Sequence, residues 1–143
     1  MITEVELLKK VCEAADMGRD SINQVRNLTE NKSLNSALQA QCREYDKIYH
    51  EAERLLLEQG QEPKNSSPFA KVNSRLQVNL QTKMAANEIS KIAEMIIKGS
   101  TMGVTKVTQQ LHAYEGNDQE AKRVAEKLLK TEEANIQEMQ KFL

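Results

Sequence analysis

Tryptophan is absent, and three Tyr and two Phe are the only aromatic residues in the 143-residue chain. Proline occurs twice and glycine five times, too few for the many turns of an all-β sandwich. No apolar run approaches the ~20 residues of a membrane span, which argues against a membrane partner. The opening MITEVELLKK lacks the charged-then-apolar order of a signal peptide. Neither sign of charge dominates, with 20 Lys and Arg against 21 Asp and Glu. The two signs are interleaved, so no basic stripe marks a nucleic-acid partner. The two cysteines, Cys12 and Cys42, form no CxxC and fall on apolar faces, where a thiol packs as a small hydrophobe. A reduced, cytoplasmic setting is expected from them.

What remains is periodic. Apolar residues make up 39% of the chain, so the core has to be a narrow seam inside a polar surface. They recur at three- and four-residue intervals on both sides of one linker, Gly60 to Pro68, which holds both prolines. The first helix is predicted from Glu4 to Thr29, opened by a capping box of Thr3 and Glu6. Its stripe is Val5, Leu8, Cys12, Ala15, Gly18, Ile22 and Val25. The second runs from Leu34 to Gln59 behind a Ser33 cap, stops at Gly60, and carries Leu38, Gln41, Tyr45, Ile48, Ala52 and Leu56.

A short helix from Phe69 to Met84 is expected next, broken from its successor near Thr82–Asn87. Without that break one helix would extend ~70 Å, far beyond its neighbours. The fourth helix runs from Glu88 to Tyr114, straight through Gly99-Ser-Thr-Met-Gly103. The last runs from Asp118 to Phe142 after an apparent Asn117/Glu120 capping box. Short loops make antiparallel neighbours, and the long insert lets the second and fourth helices run parallel. The expectation is a single all-α domain over residues 1–143: a four-helix bundle with ferritin-like connections and an extra short helix in the crossover.

Several short motifs carry a family resemblance. They are Asp16 and Gly18 in the first helix, Leu38, Arg43 and Tyr45 in the second, and the turn of Gly60, Glu62 and Pro63. In this order, with a short helix and two long ones after them, they resemble a ferritin-like family of bacterial proteins that has no agreed activity. The Gly99–Gly103 segment is similar to a clostridial-type branch of it. The resemblance implies a fold and no reaction.

A dinuclear metal site in such a bundle needs Glu-x-x-His on two helices and a lone Glu on each of the others. The only histidines, His50 and His112, fall on the polar sides of their helices, and neither follows a Glu by three positions. Ser100 and Gly103 stand where a central Glu would be required. No metal, cofactor or catalytic residue is therefore assigned, and the chain is not read as an enzyme.

One acid sits inside a stripe. Glu132 lies between Leu128 and Met139 with Asn135 on the same face, at the height of Tyr45 and Ser100. A Glu in the interior needs a partner. Tyr45, Ser100 and Arg19 are the candidates, forming a buried polar layer with Glu132 and Asn135. Gly18, Gly99 and Gly103 each weaken their helix by ~1 kcal/mol relative to Ala. Close helix packing is the expected return, with a small cavity or ligand-sized gap between helices as the alternative. Two functions remain: association with a protein partner or a second copy, favoured by the intact core, and binding of a metal or small ligand at a reduced site around Glu132, Tyr45 and Ser100.

Overall fold

The computed structural model describes residues 1–63 and 88–143. The short helix expected at Phe69–Met84 and the break at Thr82–Asn87 lie outside the described residues. Four α-helices make up the described residues: α1 (Glu4–Arg26), α2 (Lys32–Glu58), α3 (Glu88–Ala113) and α4 (Gln119–Gln140). No strand occurs among them; one isolated bridge pairs Ile2 with Tyr114. Nor is any of these helices long and apolar enough to cross a membrane.

The helix ends follow from side-chain chemistry. Thr3 and Glu6 form both bonds of a capping box, the Glu6 N–H donating to Thr3 Oγ1 at 3.1 Å and the Thr3 N–H to Glu6 Oε2 at 2.7 Å. α1 stops at Arg26, short of Thr29, because the Thr29 hydroxyl is used in the turn. It accepts from the Asn31 N–H and donates to Glu88 Oε1, each at 3.1 Å. The cap of α2 is Asn31, two residues before Ser33: Asn31 Oδ1 accepts from the Leu34 N–H at 2.8 Å. α2 ends in a Schellman motif around Gly60, whose φ of 71° suits glycine. Gly60 N–H reaches Leu57 O at 3.0 Å, and Gln61 N–H reaches Leu56 O at 2.9 Å. α4 is capped by Asp118, which accepts from the Ala121 N–H at 3.0 Å. Asn117 is displaced from that role because the Tyr114 hydroxyl fixes the Asp118 N–H one residue later, at 3.0 Å.

The contacts between ends set the directions. Gln59 donates to Glu4 Oε1, so α2 ends where α1 begins. Ile2 N–H donates to Ala113 O at 3.0 Å, so α3 also ends there. Thr29 meets Glu88 at the opposite end. α1 and α2 are therefore antiparallel, α2 and α3 parallel, and α3 and α4 antiparallel across a short loop. Glu58 and Glu88 stand at opposite ends.

Every position of the α2 stripe is buried, from Leu34 to Leu56. So are Leu8, Cys12, Ala15, Ile22 and Val25 of α1, and Ala121, Leu128 and Met139 of α4. The core is wider than a narrow seam: Leu7, Val11, Leu55, Ile92 and Val124 are buried beside the stripes. Fully burying an aliphatic side chain contributes ~1.5–3 kcal/mol, so this second row stabilises each helix contact substantially.

Candidate functional site

The polar layer is assembled from α2, α3 and α4. Tyr45, Ser100, Glu132 and Asn135 are all at least nine-tenths buried. The Tyr45 hydroxyl donates to Glu132 Oε1, and Asn135 Nδ2 donates to the Tyr45 oxygen at 3.2 Å. Ser100 stands within hydrogen-bonding reach of the same phenol. Burial pushes the Glu132 carboxyl up to about 7, against the opposing pull of the Tyr45 hydrogen bond. Burial, and then the Glu132 charge beside it, hold the Tyr45 phenol well above its ordinary value. At neutral pH this is an acid poised between its two forms next to a phenol that stays protonated.

Arg19 is not part of the layer. Its guanidinium pairs with Asp16, and with Asp46 at 2.7 Å, and lies 5.7 Å from the centre of the Tyr49 ring. Two aspartates at the edge of the α1–α2 seam hold it half-exposed, away from Glu132.

The three helical glycines behave differently. A Cβ on Gly18 would run into the Tyr45 ring. At Gly103 it would collide with the Glu132 carboxylate, whose Oε2 lies against the bare Cα. These two glycines make room for the polar layer. Gly99 does not pack closely: among the described residues nothing stands within 4 Å of where its Cβ would be. One turn of helix separates Gly99 from Gly103 and rotates it towards open space.

That space is a groove of about 450 Å³ between α1 and α3. Glu132, Tyr45 and Ser100 line it together with Gly18, Gly99 and Gly103. Because α1 and α3 are antiparallel, the groove has two distinct ends. Lys10, Glu13, Lys106 and Gln110 line one; Ser21, Ile22, Met95 and Ile96 line the other, with Met17 between. Its volume lies within the range of small-molecule sites, which are mostly apolar with a few placed polar groups.

Sequence reasoning found the floor of this site and missed its walls. Met17 and Met95 carried no signal apart from their methionine identity. Two amides were also passed over. Among the described residues Gln110 Oε1 has no hydrogen-bond partner, and neither amide atom of Gln41 has one, although Gln41 is buried one turn before Tyr45. A Gln in the middle of an apolar stripe was the available signal.

Other chemistry finds no assembly. His50 and His112 are exposed on separate helices. Among the described residues no three His, Cys, Asp or Glu side chains stand close enough to hold a metal ion. Cys12 and Cys42 are buried and unpaired. Burial pushes the Cys12 thiol up to about 12 and also raises Cys42, the opposite of what a nucleophilic thiolate requires.

No family model, curated protein or solved structure matches the chain. The site has to be read from its own geometry.

Proposed function

We propose that the protein is a non-catalytic, small-ligand-binding bundle of ferritin-like arrangement, holding its ligand in the groove between α1 and α3. The carrying observation is the groove itself, with a carboxyl group, a phenol and a hydroxyl in its floor and two glycines that make room for them. The parallel run of α2 and α3 and the motifs at Asp16–Gly18 and Gly60–Pro63 support the ferritin-like reading. Two buried, unpaired thiols accord with a reducing cytoplasm in a bacterial cell. A lone carboxylate beside a phenol is a poor ligand set for a metal ion, so the metal version of this reading is set aside. Association with a protein partner rests on less. Leu57 and Met102 are exposed, but single apolar side chains on a surface are ordinary.

The test is binding of a neutral apolar fluorophore, N-phenyl-1-naphthylamine, to the full chain. Saturable enhancement at one probe per chain is expected. Gly99→Leu should abolish it, because the new side chain projects into the groove with nothing to displace. Absence of saturable binding, or binding untouched by Gly99→Leu, would reject the groove as the ligand site.

A further inference from the structure

The groove has a titrating group in its floor, which ties the charge of that group to whatever fills the space above it. Glu132 is more than nine-tenths buried and lines the groove. The groove is open to solvent, since Gly99 and Met102 line it and both are exposed. Gly103 lines it too, and its missing side chain leaves the room that the carboxylate takes. A carboxylate in this position keeps its charge through the solvent that the groove brings to it. The balance is already close: burial has pushed the carboxyl up to about 7, against the pull of the Tyr45 hydrogen bond. An apolar body in the groove shuts out that solvent and adds to the same desolvation, which favours the neutral acid.

The surroundings tolerate that change. From α2 the Tyr45 hydroxyl donates to Glu132 Oε1, and its oxygen accepts from Asn135. A protonated carboxyl still accepts at Oε1, because its proton can sit on the other oxygen, so the relay survives. The phenol itself stays protonated. α4 places Leu128, Asn135 and Met139 on the Glu132 face, none of them titratable. The charged groups that line the groove are Lys10 and Glu13 from α1 and Lys106 from α3, gathered at one end. Both signs stand there, so the lining selects neither a cation nor an anion. The rest of the wall, from Met17 and Ile22 to Met95 and Ile96, is apolar.

We infer that the ligand is an uncharged, largely apolar molecule, and that its binding is accompanied by uptake of a proton from solvent onto Glu132. This rests on the groove being a ligand site. It adds the charge of the ligand and the regulation of the site by pH. The coupling is reciprocal: the ligand strengthens the hold on the proton by the factor by which the proton strengthens the hold on the ligand. Affinity is therefore full where Glu132 is protonated. It falls as pH rises through the value of the free protein, and levels where the filled protein also loses the proton. The groove loads under mildly acidic conditions and unloads under alkaline ones.

The experiment titrates the full chain with N-phenyl-1-naphthylamine, which stays uncharged between pH 6 and pH 8.5. The dissociation constant should be about tenfold larger at pH 8.5 than at pH 6, the effect of a shift of little more than one unit. Calorimetry near pH 7.5, in buffers of different ionisation heat, should show about half a proton or more taken up per probe bound. Glu132→Gln is neutral at every pH and keeps an acceptor for Tyr45, so it should remove both the pH dependence and the uptake. Glu13→Gln removes the other carboxyl of the groove lining and should keep both. At pH 6, 1-octanol should displace the fluorophore at lower concentration than octanoate or n-octylammonium. A constant affinity in the parent, or no uptake, would overturn the proton linkage while leaving the groove as a site. So would a dependence that survives Glu132→Gln or vanishes with Glu13→Gln. If Glu132→Gln does not fold, uptake by the parent and by Glu13→Gln decides the matter. A charged probe as potent as the alcohol would overturn the assignment of an uncharged ligand. Failure of the fluorophore to bind at any pH would instead reject the reading on which the inference rests.

Discussion

α1 packs far more extensively against α2 than against α3, and the two seams are held in opposite ways. Against α2 it is tied throughout. Glu4 bonds Gln59 at one end, the Cys12 thiol contacts Tyr49 O further along, and Arg19 binds Asp46 beyond that. Against α3 the ties described above are at the ends alone, Ile2 with Ala113 and Thr29 with Glu88. Between them lies the groove. A seam fastened at both ends and open in its middle is a slot of set length, not a bundle coming apart. What keeps the middle open is the polar floor: Tyr45 and Glu132 stand where apolar side chains would otherwise close α1 onto α3, and Gly18 and Gly103 yield to them.

The largest effect expected from that contrast is on pH. The folded carboxyl of Glu132 is pushed up to about 7, whereas an unfolded chain releases that proton near its ordinary value of 4.5. The folded state therefore holds more protons between these values, and stability falls as pH rises through them. The stabilisation is complete below about pH 4.5 and lost above about pH 7, an amount on the order of 3 kcal/mol from this group. Urea unfolding across pH 4.5–8 measures it. Glu132→Met should flatten that dependence. The variant should be the less stable protein at pH 5, by about 1–2 kcal/mol for the Tyr45 hydroxyl left without its acceptor. Between pH 5 and pH 8 the parent loses about 2.5 kcal/mol from this group, so the deficit should reverse and leave the variant ahead by about 1 kcal/mol at pH 8. A parent curve that rises over this range would show that Glu132 is solvated and that the slot has no poised floor.

The next effect tests how firmly the floor is held. Gly18→Val places a side chain against a Tyr45 ring that Glu132 and Asn135 prevent from swinging aside. Overpacking of this kind should cost about 2 kcal/mol, read as a lower urea midpoint at unchanged slope. An unaltered midpoint would mean that the ring moves freely and that the open seam is soft.

The smallest effect separates the two glycines of α3. Gly99→Ala should raise stability by just under about 1 kcal/mol, the ordinary gain in helix propensity, since the new methyl meets nothing. Gly103→Ala has the same gain in propensity, yet should lower stability because its methyl displaces the Glu132 carboxylate. Thermal melts of the pair decide it. Gains in both would show that the carboxylate does not need the space.

The periodicity of the chain carried most of the fold and half of the site. Glu132, Asn135, Tyr45 and Ser100 were legible because a stripe position is a statement about burial, and equal distance from the helix midpoints is a statement about height. Gly99 was misjudged because one turn of helix shifts a residue by only about 40° around the axis, less than the width of an apolar stripe. Arg19 was misassigned for a different reason. A charge at the edge of a stripe goes to whichever acid the next helix brings, and here that acid is Asp46, next to Tyr45 at the edge of the α2 stripe. Ser33 and Asn117 lost their caps to Asn31 and Asp118 because Thr29 and Tyr114, outside the helices, fixed the turns. The small residues Gly18, Gly99, Ser100 and Gly103 were the mark the groove left in the sequence, but its extent was not legible. It depends on the separation of α1 and α3, which follows from the bulk between them.

The bonds from Tyr45 to Glu132 and Asn135 join residues 87 and 90 positions apart. Tyr45 belongs to the first helical pair and its partners to the second, whereas the capping bonds and the turns are local. Each pair can fold on contacts near in sequence, with little loop to close. The relay cannot exist until the two pairs have docked. In a chain without tryptophan, the phenol of Tyr45 then serves as a built-in clock for assembly. The far-ultraviolet signal follows the making of helices; because Tyr49 and Tyr114 are buried too, the near-ultraviolet signal of Tyr45 follows their meeting in a chain that carries Tyr49→Phe and Tyr114→Phe.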